Sequence, residues 1–213
     1  MTNVYTLKIT YVGCENRIWR EAKISSNAFL CDLGYMILAT FDTMAYHLFA
    51  ISHNGISYEL PSDEEDIPDD RMVFTVRLSE LGLKIGDKLM MEYDFGCCQE
   101  FEIEVTGIEP MGRGQGRAYP KIIAGEGRGI IDDMSADELM DIIHRIDKTG
   151  SCDIRYSGDA ASFVDDLPTW DYRKYDIKID NALLKDRIDI IADGYEELSE
   201  KICKQNNTPS MEN

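Results

Sequence analysis

Hydrophobic and polar residues alternate along the first part of the chain in a pattern that predicts two strands followed by a helix. Between residues 5 and 10, Tyr, Leu and Ile alternate with Thr and Lys, which is the period of a strand with one buried face. A turn at Gly13 leads to a second predicted strand over 18–24. Residue types that cap helices come next, and apolar residues then recur at helical spacing, so residues 28–41 are predicted to form an amphipathic helix.

Two hairpins are predicted in the middle of the chain. The pair Asn54-Gly55, a strong signal for a tight hairpin turn, separates apolar runs at 47–51 and 56–60. Strict alternation over 89–95 and again over 101–105 predicts a second pair of strands.

Beyond residue 105 the chain becomes glycine-rich and then helical. Glycine recurs in 111–117 and 125–129, which predicts a long irregular connection. Ser135-Ala-Asp-Glu138 is a capping box before an apolar helical face. Apolar residues spaced by threes and fours over 183–202 predict a C-terminal helix, with Asp180 as its cap.

This order of elements predicts an α+β fold, with a β-grasp-like mixed sheet, one packed helix and a C-terminal helical part. The expected division is an α+β core over 1–125, a helical part over 126–204 packed on that core, and a frayed tail over 205–213.

Charge narrows the classes of partner. The formal net charge is −18 and the sequence pI is about 4.5, so nucleic acid is an unlikely partner, because Lys and Arg supply most of the affinity for phosphate backbones. The same charge is compatible with a basic partner, a cation or simple solubility. No secretory signal opens the chain and no apolar run is long enough to span a membrane, so we expect a cytoplasmic protein without a membrane partner.

An acidic, proline-containing stretch at 59–70 lacks the ligand spacing of an EF-hand and is interpreted as a solvated loop. Six cysteines are scattered along the chain, and in a reducing compartment we expect free thiols. Adjacent Cys97 and Cys98 could bind a soft metal or be oxidised, but no second Cys-x-x-Cys completes a zinc site. No metal or cofactor is therefore predicted.

Several motifs have both a functional and a structural interpretation. Asp94-Phe95-Gly96 is the tripeptide that holds magnesium in protein kinases, but the other kinase motifs are missing, so Phe95 is expected in the core and Gly96 in a turn. The glycine-rich segments could hold a phosphate through backbone N–H groups, but neither is a Walker or Rossmann fingerprint, and flexible loops are favoured. The histidines share no spacing and are interpreted as packing or surface residues: His47, His53 and His144.

A series of short runs between about Val4 and Leu184 follows the order and spacing of a known family. The runs are Tyr5-Thr-Leu-Lys-Ile-Thr10, Ile18-Trp-Arg20, His47-Leu48, Arg77-Leu78-Ser79-Glu80-Leu81, Gly86-Asp87-Lys88, Tyr93-Asp-Phe-Gly96, Tyr119-Pro120, Ala124-Gly125-Glu126-Gly127, Tyr175-Asp176 and Asn181 to Leu184. Together they resemble the plasmid pRiA4b ORF-3-like family of bacterial and archaeal plasmids and chromosomes. The resemblance implies an α+β fold with a β-grasp-like sheet and no particular biochemical activity.

The chain also departs from that family. Where the family usually has Asp-x-Trp-x-His after Asp-Phe-Gly, this chain has Cys97-Cys98-Gln99-Glu100-Phe101. The family's Cys followed by Pro-Pro-Glu-Asp is replaced by Gly129-Ile130-Ile131-Asp132-Asp133, so only the acidic end persists. If family members use that His, Cys and acid as one site, this member has lost most of it.

Two functional hypotheses follow. The first is a noncatalytic binding or scaffold module that contacts an unknown protein partner through its sheet edges or its glycine-rich connection. Under this hypothesis the protein is not an enzyme. The alternative is a small cation-dependent, hydrolase-like enzyme using three carboxylates, with a tyrosine nearby; the candidate ligand or interaction residues are Asp94, Asp132, Asp133, Tyr93 and Tyr119. A separation of about 5 Å between Asp94 and Asp133, with raised carboxylate pKa values, would favour the alternative.

Overall fold

The computed structural model describes residues 2–61, 67–151 and 170–206, excluding the side chains of Arg117 and of 198–206. The predictions for residues 62–66 of the acidic loop, for Cys152 and for the tail beyond residue 206 lie outside the described residues. Cys14, Cys31, Cys97 and Cys98 have free thiols.

Seven strands of the described residues form one sheet, in the order β4-β3-β5-β6-β1-β2-β7. The strands are β1 (Asn3–Tyr11), β2 (Trp19–Ser25), β3 (Phe49–His53), β4 (Ile56–Glu59), β5 (Lys88–Tyr93), β6 (Gln99–Pro110) and β7 (Lys121–Glu126). The helices are α1 (Leu30–Thr40), α2 (Ala136–Thr149) and α3 (Ile177–Asn206). The predicted α+β class is confirmed.

Every pair of neighbouring strands in this sheet is antiparallel, whereas a mixed sheet was expected. The turns explain the difference, because β1–β2, β3–β4 and β5–β6 are each joined by a short connection, which only antiparallel strands can use. The Asn54-Gly55 turn is confirmed, with positive φ angles of 51° and 76° at its two residues.

The core is formed by the sheet, by helices α1 and α3, and by the buried face of α2. Every residue of α1 except Asp32 is buried. A Cβ atom at Gly34 would lie 2.5 Å from the Phe49 ring, so glycine lets α1 approach β3 closely. Helix α3 packs against both α1 and β7. No helix among the described residues is long and apolar enough to cross a membrane.

The two predicted helix starts have different outcomes. The capping box before α2 is confirmed, since Glu138 N donates to Ser135 Oγ and the Glu138 carboxylate accepts from Ser135 N. The prediction of Asp180 as a cap is wrong. Helix α3 begins three residues earlier, where Asp176 Oδ1 accepts hydrogen bonds from two backbone N–H groups, and Asp180 is buried inside the first turn.

Candidate metal centre

One imidazole and two carboxylates meet at the end of the sheet where β3 begins and β5 ends. Ligand atoms of His47, Asp94 and Asp133 all lie within 4.8 Å of one another. His47 Nε2 is 2.7 Å from Asp133 Oδ1 and 3.5 Å from Asp94 Oδ2. The arrangement therefore offers one nitrogen and two oxygens to a single position.

Strand pairing brings the first two side chains together. Phe49 of β3 pairs with Tyr93 of β5, so the residues just before β3 lie beside those just after β5. Asp94 N donates a 3.2 Å hydrogen bond to Leu48 O, which continues this pairing by one step. His47 and Asp94 are neighbours for this reason.

The chain turns sharply at Asp94, and this overturns the expectation that Phe95 lies in the core. Asp94 has a φ of 53° and Cys98 a φ of 50°, so these residues provide the left-handed positions of the turn that were expected at Gly96. Since β5 ends at Tyr93, Phe95 no longer follows the strand's alternation and is 48% exposed.

The third ligand, Asp133, comes from the loop between β7 and α2. A Cβ atom at Gly129 would lie 2.3 Å from Phe41 O, so glycine lets this loop lie against the end of α1. Ile130 N donates to Phe41 O at 2.9 Å, and Gln99 Nε2 donates to the carbonyl of Ile131 at 2.9 Å. These contacts give the second glycine-rich segment a structural role. The segment is also partly strand, because β7 extends through Gly125 to Glu126.

Asp132 lies behind the three ligands. Its Oδ1 accepts a 2.7 Å hydrogen bond from the Tyr93 hydroxyl and its Oδ2 accepts one of 2.8 Å from Met44 N. Burial raises the pKa of Asp132, and burial together with the Asp132 carboxylate raises the pKa of Tyr93. The pair ties the segment before His47 to the sheet.

Only one of the two carboxylate oxygens of Asp94 accepts hydrogen bonds from described residues. It is 5% exposed, and its Oδ1 accepts from Gly96 N and Cys97 N at 3.2 and 3.4 Å. Its Oδ2 accepts no hydrogen bond from any described residue. His47 Nε2 can carry only one hydrogen, and it lies closer to Asp133. A cation between the three side chains would satisfy the buried oxygen that the imidazole leaves unpaired.

The ligand chemistry favours particular metals. Imidazole nitrogen with carboxylate oxygen suits Zn²⁺, Fe²⁺ or Mn²⁺, whereas Mg²⁺ and Ca²⁺ prefer oxygen alone. The side chains of His47 and Asp133 are 25% and 23% exposed, so solvent can reach the centre. Burial and the neighbouring Asp94 raise the pKa of Cys97 to about 11, so without a metal Cys97 is a thiol at neutral pH.

The predicted site residues thus occupy three places. Asp94 and Asp133 meet at the centre, while Asp132 and Tyr93 form the supporting pair behind it. Tyr119 lies elsewhere, in a groove between the start of β7 and α3. His47 was interpreted as a packing or surface residue and was missed as a potential ligand. The only signal for it was the His47-Leu48 run within the family resemblance.

Comparisons with known proteins agree with the fold. Residues 3–177 match the family model described as plasmid pRiA4b ORF-3-like protein. A crystal structure of the protein of unknown function MM3350 from Methanosarcina mazei Go1 is similar, with a TM-score of 0.63 and 21% sequence identity. The match covers 84% of this chain and 96% of that one. No curated protein is significantly similar in sequence.

Proposed function

Because the chain belongs to the plasmid pRiA4b ORF-3-like family, whose name specifies no chemistry, we propose its function from the site itself: a hydrolase-like enzyme that depends on a divalent transition metal. The observation that carries the proposal is the convergence of His47, Asp94 and Asp133 within 4.8 Å. This modifies the cation-dependent alternative, with His47 as a ligand and Asp132 as a supporting residue.

Three protein ligands suit catalysis better than a purely structural role. Structural zinc sites are closed by four protein ligands, whereas catalytic sites keep a position open for water or substrate. A bound metal of this kind would lower the pKa of its water and supply hydroxide near neutral pH. The side-chain exposure of His47 and Asp133 leaves room for that position.

Tyr46 has a supporting role in the proposal. Its hydroxyl donates a 2.5 Å hydrogen bond to Asp133 Oδ2, while Asp133 Oδ1 faces His47. This bond holds the carboxylate in one orientation, so that Oδ1 is presented to the metal. Because the Tyr46 side chain is 47% exposed, it also contributes to the rim that a substrate would meet.

The noncatalytic scaffold hypothesis has less support from the sheet edges on which it was based. At the β7 edge, the Asn181 side chain bonds both backbone groups of Ile122. At the β4 edge, Val73 N donates to Glu59 O at 3.0 Å. Each edge is therefore partly occupied by the chain itself, which leaves less backbone for strand addition by a partner.

The test begins with metal binding. Protein treated with EDTA and dialysed is titrated with Zn²⁺, Mn²⁺, Mg²⁺ and Ca²⁺ while its melting temperature is recorded. A metal at 100 times its Kd stabilises the folded state by about 2.7 kcal/mol, which corresponds to a rise of roughly 5–10 °C for a chain of this size. We expect this rise with Zn²⁺ or Mn²⁺, and its loss in Asp94→Asn and His47→Gln.

The matched control is Asp141→Asn, an exposed carboxylate on α2, which should retain the full shift. An equal shift in Asp94→Asn and Asp141→Asn would refute the metal centre. The metal-loaded protein is then assayed against p-nitrophenyl esters and phosphates. Metal binding without turnover of any of these would refute the hydrolase part and leave a metal-binding protein.

A further inference from the structure

A small cavity, separate from the metal centre, opens where the end of α1, the start of α3 and the loop after β7 meet. Its volume is about 200 Å³. Pockets for drug-sized ligands are usually about 300–1,000 Å³, so this one suits a small molecule or ion. Charged side chains dominate its lining, which favours a charged ligand.

The buried side of the cavity is a compensated ion pair. Arg20 is completely buried, stacks at 3.7 Å on the Tyr175 ring and donates hydrogen bonds to Thr40, Trp19, Glu126 and Arg128 acceptors. Asp180 Oδ2 lies 3.9 Å from the Arg20 Nε and accepts hydrogen bonds from the Thr40 and Tyr175 hydroxyls. The positive charge of Arg20 and the two hydroxyl donors therefore compensate the negative charge of Asp180 on the buried side of the cavity.

The open side of the cavity has an excess of positive charge. Three cations line it, Arg128, Lys174 and Arg187. Of the lining carboxylates, Asp180 lies 3.9 Å from Arg20 and 3.7 Å from Arg187, and Asp176 caps the N-terminus of α3. With Arg20 included, four cations therefore meet three carboxylates here, in a chain whose overall formal charge is −18.

The guanidinium groups of Arg128 and Arg187 can donate hydrogen bonds to a ligand. Arg128 uses its Nε for Asp42 Oδ2 at 3.1 Å, and its two terminal nitrogens donate to no acceptor within the described ranges. Arg187 lies 3.4 Å from Asp42 Oδ1, and it donates a 3.3 Å hydrogen bond to a backbone carbonyl of α1. Guanidinium groups in this arrangement are suited to bind an oxyanion through several donors.

One acceptor in the lining lacks a donor. Asp180 is 5% exposed, and its Oδ1 accepts no hydrogen bond from the residues described. The nearest cation, Arg187 Nη1, is 3.7 Å away. A ligand that brings both negative charge for the arginines and one hydrogen for Asp180 would complete this cavity.

We propose that the cavity binds free hydrogen phosphate. Hydrogen phosphate carries the negative charge that the three cations require. Near neutral pH it also keeps a hydroxyl hydrogen for Asp180, which sulfate of the same shape and charge does not have. The site discriminates between these two anions through this hydrogen.

Isothermal titration at constant ionic strength, with EDTA present to keep metal out of the other centre, tests the proposal. Phosphate should bind, and sulfate at least about tenfold more weakly, which is the effect of one lost hydrogen bond to a charged acceptor. Arg128→Gln should weaken phosphate binding about tenfold. Asp42→Asn should strengthen it, because the competing carboxylate is removed while a residue tolerant of the positive φ of 61° is kept.

Arg173→Gln is the matched control, since Arg173 is exposed, pairs with Asp171 and lies outside the cavity. Its phosphate affinity should equal that of the wild type. Equal binding of phosphate and sulfate, or no effect of Arg128→Gln, would overturn the proposal. Titration with glycerol 2-phosphate tests the same hydrogen, because a phosphate monoester is mostly a dianion without a hydrogen on its phosphate oxygens near neutral pH. It should bind more weakly than phosphate, and tighter binding would overturn the proposal.

Discussion

The hydroxyl of Tyr195 donates a 2.5 Å hydrogen bond to the backbone carbonyl oxygen of His47. The Tyr195 ring is buried, stacks on Tyr35 with centroids 5.4 Å apart and meets the edge of Phe49. Helix α3 therefore fixes the backbone of a candidate metal ligand, although none of its described side chains is among the three ligands.

Tyr195→Phe should lower both stability and metal affinity. Losing a buried hydrogen bond costs about 1 kcal/mol, which is up to about tenfold in an equilibrium constant. Urea denaturation measures the first effect and metal titration the second. Tyr35→Phe is the control in the same stack, because the Tyr35 hydroxyl is buried with no partner among the described residues, and its removal should be neutral or stabilising. Equal losses in both variants would contradict the prediction.

Asn181→Ala should destabilise the protein and promote self-association. Asn181 accepts from Ile122 N at 2.9 Å and donates to Ile122 O at 2.8 Å, so it satisfies the edge of β7 at that residue. Its loss exposes two backbone groups and should cost about 1–3 kcal/mol. Urea denaturation and sedimentation velocity at increasing concentration measure the two effects. Lys185→Ala, at an exposed position on the same helix, should change neither.

Arg20→Met should be severely destabilising. Removing one partner of a buried, hydrogen-bonded ion pair typically costs about 3–5 kcal/mol, and the buried carboxylate of Asp180 would keep only the partly exposed Arg187 as a cation. Several carbonyl groups would lose their donors as well. The free energy of unfolding is measured beside Arg113→Met, an exposed control that should lie within about 0.5 kcal/mol of the wild type. A decrease in the free energy of unfolding of less than about 1 kcal/mol would contradict the prediction that Arg20 stabilises the fold.

Asp132 should contribute to the free energy of unfolding most at low pH and less as the pH rises. Its pKa is raised in the folded state, so the folded protein binds this proton more tightly than the unfolded chain does. The stabilising contribution is complete below the unfolded pKa of about 3.9 and is lost as the pH rises through the higher folded pKa.

Asp132→Asn should remove that component. The difference between the unfolding free energies of wild type and variant, measured by urea denaturation from acid to neutral pH, should fall as the pH rises and then level off. A difference that grows with pH in this window would mean that the folded state binds the carboxylate form more tightly.

Local patterns predicted the hairpin at Asn54-Gly55, the capping box before α2 and most strands, because their geometry depends on neighbours in the sequence. Strand β7 was missed because its burial does not alternate regularly and it contains Gly125. The metal centre could be predicted only in part, since His47 and Asp133 are 86 residues apart and meet only through tertiary structure. Asp180 was misassigned because a carboxylate near a helix start suits both a cap and a buried ion pair.

The two candidate carboxylate ligands, Asp94 and Asp133, have positive φ angles of 53° and 57°. Among residues with a side chain, Asn and Asp tolerate this backbone region best, and β-branched residues tolerate it poorly. Homologues that lose the metal while keeping the fold should therefore carry Asn or Gly at these two positions. Loss of the metal would then leave a trace in the sequence, because the turns would still restrict which residues can replace the carboxylates.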